Sequence, residues 1–172
     1  LIVRNFIASF QPAKNMGRKF THTSRKELPS EKVEKAISAF KNPSKWPDWN
    51  RGAKSMLATK AETIEVGDHL AVFQVIKGGL IEKKWLVKSI RDGEKFFEVD
   101  LLSEGQTRNE RPIAKGMKNL QLSITFLHEE DGGIEVHSSC EVSPLLSIFS
   151  KQIRKFVKAQ TEQYILDLSN IE

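Results

Sequence analysis

A chain of 172 residues, 39% hydrophobic and 28% charged, has the size and balance of one globular domain, which excludes disordered, collagenous and disulfide-scaffold classes. Its one cysteine, Cys140, rules out an intrachain disulfide and a cysteine-based zinc site, and no apolar run approaches the ~20 residues of a membrane-crossing helix. The net charge of +5 comes mainly from Arg4, Lys14, Arg18, Lys19, Arg25 and Lys26, which all precede the first acid, Glu27. With no binding motif or aromatic–basic platform beside it, this surplus points away from nucleic acid and toward, at most, transient contact with an anionic membrane.

Residues 1–15 contain Arg and Lys, no acid and no clean periodicity, and Met16 stands just before the first strand-like segment. An organelle-targeting remnant, a non-native leader and a true extension all suit that composition. The folded domain is therefore expected at residues 16–172, in a cytoplasmic or organellar compartment. Residues 18–27 alternate as a strand. Leu28-Pro29-Ser30-Glu31 then opens a helix, with proline and acid both suited to a first turn, and Val33, Ala36, Ile37 and Phe40 form its buried face. Asn42-Pro43 ends it, and Pro47 keeps any helix across Pro43–Trp49 short.

Strand signals follow at residues 53–60 and 69–77, then at 80–91 after a Gly78-Gly79 hairpin turn, and at 95–103 after Asp92-Gly93. The polar stretch 104–116 reads as a long loop bearing Arg108, Glu110, Arg111 and Lys115, solvated or serving as a lid or a gate for an anionic ligand. Residues 118–128 and 134–143 alternate with period two and make a last hairpin across Glu130-Asp131-Gly132-Gly133. Ser143-Pro144 is a good N-cap and first-turn pair. It starts a helix of about 24 residues, roughly 36 Å long, with Leu145, Phe149, Ile153, Phe156, Val157, Tyr164 and Leu168 on one stripe. Consecutive strands bracketed by segregated helices predict an α+β domain, a curved antiparallel sheet wrapped around a long C-terminal helix, with two short helices after the first strand.

Three segments in this order carry a family resemblance: Leu28-Pro29-Ser30-Glu31-Lys32-Val33 at a strand-to-helix entry, Asn42-Pro43-Ser44-Lys45-Trp46-Pro47-Asp48-Trp49-Asn50 at a helix-to-strand link, and Glu65-Val66-Gly67-Asp68 before the next strand. Residues 17 to about 168 resemble the START/SRPBCC superfamily of helix-grip proteins, which includes polyketide cyclase/dehydrase-like and major-pollen-allergen-like members. The charged segment Ser103–Gly116 and the N-terminal extension depart from that pattern and leave the branch open. The resemblance implies a cavity between the concave sheet face and the long helix, holding a lipid, polyketide, sterol, quinone or similar molecule.

On this reading the cavity lining comes from Val72, Trp85, Phe97, Val99, Leu122, Ile124, Val136, Phe149, Ile153 and Phe156, although core burial is the default for each of them. Gln74, Ser138 and Tyr164 are its polar liners, and Trp46 and Trp49 form an entrance or, with indole N–H groups bonded to carbonyls, a plug. No catalytic residue, metal ligand or cofactor is assigned. His22, His69, His128 and His137 do not cluster, and Cys140 faces away from Glu135 and His137. The expected activity is binding or transport of a small hydrophobic ligand. A cyclase/dehydratase-like enzyme in the same cavity and a cochaperone-like interaction module are the alternatives, and oligomeric state is left open.

Overall fold

The computed structural model describes residues 17–128 and 132–171. The expectation for residues 1–15, and the Glu130-Asp131 half of the last hairpin turn, lie outside the described residues. The strands are β1 (Arg18–Glu27), β2 (Ala53–Ala58), β3 (His69–Ile76), β4 (Gly79–Asp92), β5 (Phe96–Arg108), β6 (Arg111–Ile113), β7 (Met117–Leu127) and β8 (Gly133–Val142). The helices are α1 (Ser30–Lys41), the single turn α2 (Trp46–Trp49) and α3 (Ser150–Ser169). Short 3-10 segments at Pro43–Lys45 and Pro144–Phe149 precede α2 and α3. The strands form one antiparallel sheet in the order β1-β8-β7-β5-β4-β3-β2, with β6 paired to β5 off that path. Its ends are not joined, so the sheet curves without closing, and the result is the helix-grip α+β fold.

Curvature has a local cause. Register shifts between Lys84 and Trp85 and between Val87 and Ser89 place unmatched residues in the long β4–β5 ladder, and another interrupts β7 and β8 near Lys118. Each extra residue bends and twists its strand. The concave face carries Leu70 and Val72 on β3, Trp85 and Val87 on β4, Phe97, Val99 and Leu101 on β5, Leu122, Ile124 and Phe126 on β7, and Ile134 and Val136 on β8. All of these are buried. α3 lies against β1 and β8 and touches α1, so it sits toward one end of the sheet rather than centrally across it.

Aromatic rings fill the space at the α1–α2 end. Phe97 and Phe126 are 5.9 Å apart, Phe126 and Phe40 5.7 Å, Phe40 and Trp46 5.0 Å, Trp46 and Trp49 5.2 Å, and Trp49 and Tyr164 6.4 Å. Such tilted contacts join α1, α2 and α3 to the sheet. The Glu65–Asp68 segment is fixed onto β4. Gly67 donates its N–H to the Val87 carbonyl at 2.8 Å, and the buried Asp68 side chain accepts from the Glu65 N–H at 2.7 Å. At φ +92°, Gly67 holds a conformation open mainly to glycine.

Several expectations are corrected. The turn before β4 is Lys77-Gly78, both at positive φ, with Ile76 paired to Gly79, so Gly79 begins the strand. Residues 104–116 are not mainly loop, because β5 continues to Arg108 and returns as β6 through Asn109-Glu110, both left-handed at φ 47° and 65°. The Asn109 side chain accepts the Leu80 N–H at 2.8 Å and ties this turn to β4. β2 stops at Ala58, two residues short of the expected strand. The C-terminal helix is 20 residues, and the Ser143 hydroxyl makes no capping bond. Instead Ser147 and Ser150 donate hydroxyls to the Pro144 and Ser147 carbonyls at 2.6 and 2.7 Å, bonds that suit a tight 3-10 entry. Leu145 and Phe149 consequently point to solvent instead of joining the buried stripe.

Candidate functional site

Because α3 favours the β1–β8 end, the concave face of β3 and β4 is left with no helix directly upon it, and a cavity of about 550 Å³ opens there. One wall is a stripe of α3, Phe156, Ala159, Gln160, Gln163, Tyr164 and Asp167, recurring at three- and four-residue steps. Gln74 and Ile76 from β3 and Lys83 from β4 face it, and the Asn50-Arg51-Gly52 link closes one side. Lys83 pairs with Val72, and Gln74 with Ile81, so Lys83 and Gln74 are diagonal neighbours on one sheet face. The Gln74 amide packs on the backbone of Gly52, where an added Cβ would lie 2.5 Å from Gln74 Nε2.

Three groups in this cavity have displaced proton affinities. Burial lowers the pKa of Lys83, a half-buried ammonium with no ion pair or hydrogen bond among the described residues. Burial also raises the Tyr164 phenol well above the ordinary tyrosine range, and the nearby Asp167 carboxylate adds to the shift. Asp167 is raised by burial too, against hydrogen bonds from Gln163 and Arg51. Its Oδ1 accepts from Gln163 Nε2 at 2.8 Å and stands 3.5 Å from Arg51 Nε. Two side-chain polar atoms of Gln160 are buried without a partner among the described residues. So are the indole N–H of Trp85 and the hydroxyl of Ser138, elsewhere on the concave face.

Of the residues expected to line a cavity, Gln74, Phe156 and Tyr164 meet around this one. Val72 and Trp85 flank Lys83 on the same face, Val72 as its cross-strand partner and Trp85 two residues along β4. Phe97, Val99, Leu122, Ile124, Val136 and Ser138 are buried in the core beyond it, and Ile153 is buried on α3. Phe149, 48% exposed, stands outside. Trp46 donates its indole N–H to the Phe40 carbonyl at 2.8 Å, whereas the buried Trp49 indole N–H has no partner among the described residues. Trp49 instead lines a second recess of about 610 Å³ between α1, α2 and the C-terminal end of α3, whose other walls include Lys35, Lys45 and Asp48, with Arg51 and Asp167 shared between the two spaces. The recess over β3–β4 is the candidate site, since its Ile76, Phe156, Ala159 and Tyr164 supply apolar surface around a few polar groups.

Lys83 escaped sequence reasoning because Glu82-Lys83-Lys84 reads as a solvated charge run, although period two from Trp85 and Val87 places position 83 inward. Gln160, Gln163 and Asp167 share the α3 stripe with Phe156 and Tyr164 at helical spacing, a signal concealed by their polarity.

No family model matches this chain, and no curated protein matches it. Solved structures do resemble it. Ara h 8.0201 is 13% identical, with a TM-score of 0.61 over 88% of this chain and 95% of its own. Norcoclaurine synthase from Thalictrum flavum, solved in complex with dopamine and hydroxybenzaldehyde, is 15% identical with a TM-score of 0.59, covering 97% and 95% of the two chains. A START superfamily protein from Mycobacterium smegmatis is 11% identical, TM-score 0.56, over 89% and 95%. At such identities the likeness is one of fold.

Proposed function

The chain has the helix-grip fold of the START/SRPBCC superfamily, and on that frame we propose that it binds a small hydrophobic or amphipathic molecule between α3 and the β3–β4 face. The observation that carries this reading is the cavity of about 550 Å³ left where α3 stands off the sheet. Its volume falls within the roughly 300–1,000 Å³ of ordinary small-molecule pockets, and its walls combine apolar surface with a few convergent polar groups. A structure of the same fold holding dopamine and hydroxybenzaldehyde supports small-molecule occupancy of such a frame.

Native mass spectrometry of the protein incubated with a lipid extract tests the reading. A bound hydrophobic species is expected in the wild type and absent in Ala159→Trp, since Ala159 lines the cavity from an exposed helix position and a Trp there occupies it without entering the core. A bare protein mass, with no thermal shift against the extract, would overturn it.

A second reading, a cyclase/dehydratase-like enzyme in the same cavity, is favoured by Lys83, whose lowered pKa suits a group that exchanges a proton with substrate. It requires that a bound molecule be recovered chemically changed. An interaction module of the cochaperone kind would draw on the exposed Leu145, Ile148 and Phe149 instead.

A further inference from the structure

Lys83 is a cation to which the described residues supply no counter-charge. It stands on the concave face opposite Val72, half-buried, and makes no hydrogen bond or ion pair among the described residues. Arg51, the other cation of the cavity, is already engaged by Asp167. Among the described residues, the Gln74 side chain beside Lys83 is unpartnered although its residue is only 8% exposed, and both polar atoms at the end of Gln160 are buried without partners. Buried polar groups normally find partners, so a cluster of such groups around one space marks where a ligand's polar end can be bonded. The apolar Ile76 and Phe156, both substantially exposed, frame the outer part of the same space.

Resting on the ligand-binding reading above, we propose that the occupant is an amphiphile with one carboxylate, seated head-first on the Lys83 ammonium and the amide N–H groups of Gln74 and Gln160, its apolar end toward Ile76 and Phe156. The charge balance selects a monoanion. Of the cavity's described cations only Lys83 is uncommitted, and a phosphate dianion would bring its second charge toward Asp167, which lines the same cavity. A carboxylate accepts several hydrogen bonds at once, which suits one ammonium and two amides, whereas an alcohol leaves the cation unanswered. Burial that lowers the Lys83 pKa agrees, because an ammonium short of water gains most from a charged acceptor.

Isothermal titration calorimetry with matched pairs tests this: decanoate against decanol, and 2-naphthoate against 2-naphthylmethanol. The wild type is expected to prefer the acid of at least one pair by about tenfold or more, the scale of a hydrogen-bonded charge in a partly dry site. Lys83→Met, confirmed folded by circular dichroism, is expected to lose that preference while keeping the alcohol. Equal affinity for acid and alcohol in the wild type would overturn the carboxylate and leave the ligand reading intact. A preference that survives in folded Lys83→Met would also overturn it, since the charge recognised would lie elsewhere. Failure of all four probes to bind would overturn both readings, and the wild-type comparison stands even where the variant does not fold.

Discussion

Tyr164 is the only tyrosine in the chain, so its ionisation can be read separately. Burial and the neighbouring Asp167 carboxylate both disfavour the phenolate. The folded pKa therefore lies above the unfolded value of ~10. A raised pKa contributes stability that is fully present below the unfolded value and is lost as pH climbs beyond it. In an alkaline titration, tyrosinate absorbance should appear together with loss of the far-ultraviolet circular dichroism. Tyrosinate forming near pH ~10 with the fold intact would contradict the burial. Gly133 is a second residue whose side chain, here its lack of one, is decisive. It pairs with Glu27 on one side and Leu127 on the other, and an added Cβ would lie 2.2 Å from the Lys26 carbonyl oxygen, a backbone atom that cannot turn aside. Gly133→Ala should cost near or beyond the upper end of the about 1–3 kcal/mol typical of overpacking, measured as a lower denaturant midpoint. Both residues could be seen in the sequence, Tyr164 on the α3 stripe and Gly133 in a turn. Their surroundings could not, because they come from Asp167 and from a strand more than a hundred residues away.

Helix phase decides which apolar residues of an element matter, and α3 shows how a few residues of different geometry can mislead a pattern. From Ile153 onward the stripe expected from three- and four-residue spacing is largely buried, with Val157, Tyr164 and Leu168 inward. Before it, the 3-10 segment turns at about 3.0 residues rather than 3.6, so Leu145 and Phe149 drift off the stripe that the periodicity assigned to them. The same element contains a paired test. Leu168 is 1% exposed and Leu166 47% exposed. Leu168→Ala should cost about 2–5 kcal/mol through lost burial and the space left behind, and Leu166→Ala should stay within about 0.5 kcal/mol. Chemical denaturation of both variants checks the phase, and similar losses would mean that α3 is rotated relative to the sheet. The β5–β6 hairpin failed to show in the sequence for a related reason. Asn109-Glu110 is not a strong turn pair by composition, and what holds it left-handed is the bond from the Leu80 N–H to Asn109 across the sheet.

At the scale of the whole molecule, the helix-grip plan was legible because turn residues, period-two strands and the Trp-Pro-Asp-Trp link each have a local cause. The position of the cavity was not, because it depends on where along the curved sheet α3 settles. That position follows from the packing of α3 onto β1 and β8 and from the aromatic column that occupies the α1–α2 end. On the concave sheet face the open space lies over β3 and β4, which is why only Gln74, Phe156 and Tyr164 of the expected polar and apolar lining reach it directly. This asymmetry makes a spatial prediction. A ligand in the cavity stabilises the elements that touch it and leaves distant ones governed by the global stability of the fold. In hydrogen-exchange mass spectrometry, added ligand should slow exchange in β3, in the first half of β4 and along residues 156–167 of α3, with smaller changes in β1 and β8. Protection concentrated instead at residues 35–49 would move the binding site to the recess between α1, α2 and the end of α3. Protection confined to residues 144–149 would indicate contact with the exposed apolar entry to α3 rather than occupancy of the cavity.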